Sequence, residues 1–246
     1  AQERAVARAQ VERLLGARPA ARADVATGGT LRVGVLSSDL REHSVAYFLL
    51  PMLEHRDRAA THVTCYSLVK RDDAMRRRLK GAADTWRDVG DLNDRDLLTL
   101  LRKDRLDVLL DLIGHNGPGR QGVLSAGAAP VQVTAIGYPA TTGLTGIDWR
   151  LCDGRTDPPG AERLLTERPL RLDGCFLCYS PPPVESLPPV EAGPAERAGQ
   201  VRFGSFNNVA KLGDGTLDVW GRVLRETPAS ALVLKSRWID DPVVSQ

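Results

Sequence analysis

No stretch of this 246-residue chain is apolar for the roughly 18 to 20 residues that a membrane-spanning helix needs. The opening AQERAVARAQVERLL has no apolar centre of the kind a secretory leader carries. Charge of one sign is missing as well. The 33 basic and 31 acidic residues nearly cancel, leaving a formal +2, so no overall field recruits nucleic acid or an anionic membrane. The densest basic run, Met75 to Lys80, has helical composition and reads as a solvated face. Cysteine is scarce, with Cys65, Cys152, Cys175 and Cys178 in a chain too long to need staples. Cys175 and Cys178 have CxxC spacing, but no second pair accompanies them and the nearest histidine in sequence is His115, which argues against zinc. Free thiols in a reducing cytoplasm are expected, and no metal. GxGxxG, the Walker loop, HExxH and GxSxG are all absent, which removes the common nucleotide and hydrolase signatures.

What is present is an alternation of short apolar runs with helix-length segments. Leu31 to Leu36, Val63 to Leu68, Trp86 to Val89, Val108 to Leu112 and Val131 to Ile136 read as strands. Ser44 to Leu53, Asp72 to Ala83 and Asn93 to Lys103 read as helices between them, the last capped by Asn93 or Asp94. That rhythm is the βαβ pattern of an open parallel sheet, so the expected fold class is α/β with a Rossmann-like lobe. Residues 1–28 read as a helical connector or repeat remnant and 30–179 as the first lobe. The Pro/Ala/Glu-rich segment 180–199 reads as a linker, and 200–246 as the start of a second lobe with strands at Val201 to Phe206 and Ala231 to Lys235. Glu167 to Leu172 reads as a further extended piece, and Thr216 to Leu224 as a helix.

Leu106 to Trp149 organises the chain, because two strands there each end in unusual polar turns. Open parallel sheets bind ligands beyond the carboxyl ends of their strands. The candidates at such ends are Asp39 with His43, Asp111, His115 with Asn116, the run Ile136, Gly137, Tyr138, Pro139, Ala140, Thr141 and Thr142, and then Asn207, Asn208 and Lys211. Collected at one edge, these residues would line a cleft. A neutral imidazole at His43 or His115 can orient a hydroxyl or take its proton. Backbone N–H groups beside His43 would favour an anion. Lys211 supplies a mobile point charge suited to phosphate. Asp111 either orients a partner or simply ends its strand. Each residue also has an ordinary structural use: histidines beside strand ends often bond a carbonyl, and an exposed lysine is often only solvated.

Five segments, LRVGVLSSDLREHSVAYFLLP, DVLLDLIGHNGPGR, APVQVTAIGYPATTG, DPPGAE and FGSFNNVAKL, carry a resemblance in their order and spacing. They are similar to the catalytic region of O-linked N-acetylglucosamine transferases of the bacterial and SPINDLY-like type, over roughly residues 30 to 240. The resemblance implies a two-lobed glycosyltransferase B fold, usually preceded by tetratricopeptide repeats. It implies transfer of N-acetylglucosamine from UDP to Ser or Thr hydroxyls of proteins, with inversion and without metal or cofactor; some plant relatives transfer fucose. It implies that His43 lies on the acceptor side, that 136–142 faces the sugar, that Lys211 contacts the donor diphosphate, and that His115 matches the histidine or tyrosine following the aspartate-leucine strand. The histidine-threonine-threonine run of the family's second lobe does not occur in these residues. The alternative is therefore a non-catalytic lobe serving as an interaction module.

Overall fold

The computed structural model describes residues 18–20, 24, 28–190, 193 and 199–236. The expected helix at the start of the chain lies almost wholly outside these residues. The chain divides into two compact units, Ala1–Pro181 and Pro182–Gln246.

The first unit is a seven-stranded, wholly parallel sheet in the order β3-β2-β1-β4-β5-β6-β7. Its strands are β1 (Leu31–Ser37), β2 (Thr61–Ser67), β3 (Thr85–Asp88), β4 (Val108–Asp111), β5 (Val131–Thr134), β6 (Trp149–Asp153) and β7 (Arg168–Leu172). The helices are α1 (Ser44–Glu54), α2 (Ala74–Ala82), α3 (Asp94–Lys103) and the short α4 (Gln121–Ser125). Because successive strand residues point to opposite faces, neighbours on one strand enter different cores. Val35 packs with Val45, Leu49 and Leu53 of α1 and with Leu79 of α2. Leu36, the next residue, packs with Leu97 and Leu101 of α3 and with Val123 of α4. Burial on both faces is why β1 and β4 read as continuous apolar runs. Asp73 and Asn93 cap α2 and α3, each accepting a bond from a first-turn N–H.

Three expectations change. The segment between β4 and β5 holds only a five-residue helix. β5 stops at Thr134, because Ile136 turns the chain with a φ of 59°. β6, not anticipated as a strand, carries the buried charges Arg150 and Asp153, which hide it from an apolar pattern.

Strand order reverses at β1, with β2 on one side and β4 on the other. That is the switch point where a crevice opens in sheets of this kind. The loops after β1 and β4 sit there.

The second unit has β8 (Arg202–Ser205) paired in parallel with β9 (Ala231–Leu234), and one helix, α5 (Asp214–Glu226). No residue of α5 is buried, and Leu217, Val219 and Val223 are exposed.

Candidate active site

Asp111, at the end of β4, is fully buried and organises the turn that follows it. Its carboxylate accepts from the N–H groups of Ile113 at 3.1 Å and Gly114 at 3.1 Å, and from the Thr134 hydroxyl at 3.2 Å. Burial pushes its pKa up, against the pull of those bonds. The residue therefore serves the loop from within.

The loops after β4 and β5 are built against each other. Gly137 donates to the Ala135 carbonyl at 2.6 Å, closing a three-residue turn around Ile136. A β-branched residue at positive φ is costly and is held only by its surroundings. A β-carbon at Gly137 would overlap the Leu112 carbonyl, and one at Gly114 would overlap the Tyr138 side chain. Glycine at both positions is what allows the close approach. Asn116 then donates its amide to the Gly137 carbonyl at 2.5 Å, and the His115 ring meets Tyr138 edge-on at 5.2 Å. His115 Nε2 lies 2.6 Å from the Thr142 carbonyl oxygen. A carbonyl only accepts, so Nε2 carries the hydrogen, and in the neutral ring Nδ1 keeps its lone pair.

Two residues not recognised as candidates hold the 136–142 loop from beneath. The buried Arg150 guanidinium donates to the carbonyls of Tyr138 at 3.2 Å, Pro139 at 2.8 Å and Ala140 at 3.1 Å, and pairs with Asp157 at 3.1 Å. Glu167, 3% exposed, accepts from the Thr141 hydroxyl at 2.7 Å, the Thr142 N–H at 2.8 Å and the Thr142 hydroxyl. Burial works to raise the Glu167 pKa, but these donors outweigh it and hold the carboxyl below its ordinary value. The Thr142 side chain thus faces inward, while Pro139 and Ala140 stand exposed. Glu167 is 25 positions from Thr142, so no local pattern reveals the pairing. Arg150 offered one signal, a charge flanked by Trp149 and Leu151.

After β1, Asp39 is buried and accepts from Arg41 at 3.1 Å. The first turn of α1 is not left open for an anion, since His43 itself caps it. Its Nδ1 accepts from the Val45 N–H at 3.3 Å. Asp39 Oδ1 is 3.8 Å from the same nitrogen, beyond hydrogen-bond reach. The capping bond uses the Nδ1 lone pair, so the neutral ring carries its hydrogen on Nε2 and acts there as a donor.

In the second unit Asn207 and Asn208 are exposed, and the Asn208 side chain accepts from the Ala210 N–H at 3.1 Å. This caps the turn Val209–Lys211. Lys211 is exposed and pairs with no carboxylate among the described residues. α5 starts after Gly213, which supplies no side-chain cap. Lys211 and the helix start are thus close neighbours in the chain. Among the described residues no group of three His, Cys, Asp or Glu side chains is placed to hold a metal.

The family model described as Glycosyl transferase family 41 matches residues 15–176. The chain belongs to glycosyl transferase family 41. Its relatives include the probable UDP-N-acetylglucosamine--peptide N-acetylglucosaminyltransferase SPINDLY of Arabidopsis thaliana, 39% identical over 211 residues, 84% of this chain and 23% of that one. The SPINDLY of Oryza sativa subsp. japonica is 40% identical over 211 residues, 84% of this chain and 22% of the relative. Among solved structures, a lysine-to-methionine mutant of the Thermobaculum terrenum O-GlcNAc transferase superposes with a TM-score of 0.83. It is 38% identical, over 92% of this chain and 42% of that one. The chain therefore spans less than a quarter of the curated relatives' length, 23% and 22% for these two. The family-41 resemblance and the α/β fold class expected from the sequence both hold.

Proposed function

We propose that this family-41 chain contributes to transfer of N-acetylglucosamine from UDP-N-acetylglucosamine to Ser or Thr hydroxyls of a protein acceptor in the cytoplasm, with inversion and no metal or cofactor. The observation that carries the reading is the gathering of His43, His115 and the 136–142 loop at the carboxyl ends of β1, β4 and β5. These lie in a chain whose relatives are named peptide N-acetylglucosaminyltransferases.

The chemistry is one displacement. The acceptor oxygen bonds to the anomeric carbon from the face opposite the diphosphate. The bond from that carbon to the phosphate oxygen breaks, and UDP departs with the electron pair. Alignment of the hydroxyl lowers the entropic part of the barrier, and positive charge on the leaving phosphates lowers the electrostatic part. We assign that charge to Lys211, the residue that the family resemblance matches to the donor diphosphate, with the first-turn N–H groups of α5 beside it in sequence. The hydroxyl proton requires an acceptor. The neutral His43 ring carries an N–H on Nε2, whereas His115 keeps a lone pair on Nδ1. His115 is therefore the better candidate for receiving the proton, and His43 for orienting the acceptor oxygen through Nε2–H.

The test is donor-dependent labelling of Ser/Thr peptides, with wild type, His115→Ala, His43→Asn and Lys211→Ala compared. Loss of kcat in His115→Ala and Lys211→Ala, with a smaller effect of His43→Asn, supports the reading. Undiminished turnover in Lys211→Ala sinks it. A folded wild-type chain that labels nothing favours the interaction-module alternative.

A further inference from the structure

A cavity of about 450 Å³ opens near the amino ends of β1, β2 and β3, against the last turn of α3. Arg32 and Ser38 are six positions apart along β1 and its exit, so the cavity is roughly 20 Å from the carboxyl-edge loops. Its lining is mainly polar, with Arg32, Arg87 and Lys103 as cations. Asp104 is the one carboxylate, and it is already saturated. It accepts from Arg87 through both nitrogens of the fork at 2.8 Å and from the Tyr66 hydroxyl at 2.5 Å. Arg87 neutralises that carboxylate, which leaves Arg32 and Lys103 as net positive charge. Neither side chain pairs with a carboxylate among the described residues; the Arg32 guanidinium reaches the Asp104 carbonyl at 3.4 Å, while its backbone N–H donates to the Asp107 carboxylate at 2.8 Å. Hydroxyls complete the wall. Thr85 is bonded to His62 Nε2 at 3.2 Å. Thr64 is 5% exposed, lines the cavity, and its hydroxyl joins no hydrogen bond among the described residues.

We propose that this cavity is an anion site that binds the phosphate group of a small phosphate monoester. The Thr64 hydroxyl faces the cavity with its bonding capacity free for a ligand. Two uncompensated cations around a polar hollow favour a doubly charged oxyanion over a neutral ligand. An arginine fork, an ammonium and threonine hydroxyls are the donor set that phosphate oxygens accept from. The volume exceeds what inorganic phosphate fills, which is why an ester is preferred to the free ion. The position, at the amino ends of the strands, makes this a separate site from the loops at the carboxyl ends of β1, β4 and β5.

The experiment is titration of the 246-residue chain, followed by amide NMR and calorimetry, with glucose 6-phosphate, inorganic phosphate and glucose. The proposal expects saturable shifts on β1–β3 with glucose 6-phosphate. It expects weaker shifts with inorganic phosphate and none with glucose. Arg32→Ala with Lys103→Ala changes only exposed side chains and is expected to weaken binding at least about tenfold. Thr64→Val keeps the shape and is expected to weaken it less, while Lys211→Ala leaves it unchanged. Inorganic phosphate binding as tightly as the ester would overturn the ester assignment. Equal binding by wild type and both cavity variants, loss of binding in Lys211→Ala, or no shifts at β1–β3 would overturn the site itself. A failed transferase assay has no bearing on these readings, and a failed phosphate titration has none on the transferase.

Discussion

His115 Nε2 and the carbonyl oxygen of Thr142, 2.6 Å apart, tie the loop after β4 to the loop after β5 and fix which ring nitrogen is free. The tautomer that follows is directly observable. Long-range proton–nitrogen NMR spectra of the ring at neutral pH are expected to show the hydrogen on Nε2 for His115. A neutral Nδ1–H ring would contradict both the loop tie and the assignment of Nδ1 as a proton acceptor.

Glycine at 137 is a steric requirement, and glycine at 143 is only a conformational one. Gly137→Ala drives a β-carbon into the Leu112 carbonyl and is expected to cost about 3 kcal/mol or more. Gly143 has a φ of 67° and open space around it, so Gly143→Ala is expected to cost about 1 to 2 kcal/mol. Urea unfolding of the two variants checks the ranking; equal losses would refute it.

Arg150 is held by fork geometry that lysine does not reproduce. Arg150→Lys leaves at least two of the carbonyls at 138–140 without a donor and Asp157 poorly paired. A loss of about 3 kcal/mol is expected, with faster amide exchange confined to the 136–142 loop. A variant as stable as wild type would show the clamp to be dispensable.

Glu167 and Asp111 respond to acid in opposite senses. The Glu167 carboxyl is held below its ordinary value, so its contribution is present above the unfolded pKa and is lost as pH falls through the folded one. Asp111, raised by burial, contributes below its unfolded pKa, and that contribution is lost as pH rises through its folded value. Glu167→Gln is expected to cost about 1 to 3 kcal/mol at neutral pH. The gap from wild type should narrow once pH falls below the ordinary glutamate value of about 4.3. A gap constant from pH 7 to pH 3 would show that the carboxylate charge is not what holds Thr141 and Thr142.

Much of this arrangement was legible in the residues. Two-sided burial made β1 and β4 continuous apolar runs, and Asn93 marked the start of α3. The glycine-rich turns marked the strand ends that carry His115 and Tyr138. The supports beneath them were hidden, because their partners are distant in sequence. Arg150 reaches back to 138–140 and Glu167 to 141–142, so no local pattern matches either charge to its partners. His43 was visible as a candidate, but its capping bond depends on a backbone angle that sequence does not state.

The most direct measurement of the central claim is a metal-free titration of the isotope-labelled chain with UDP-N-acetylglucosamine, read by amide NMR. The account predicts saturable shifts at residues 37–43, 115–116, 136–142 and 207–211, weakened by Lys211→Ala. Shifts absent from all of these segments, or unchanged by that substitution, would contradict it.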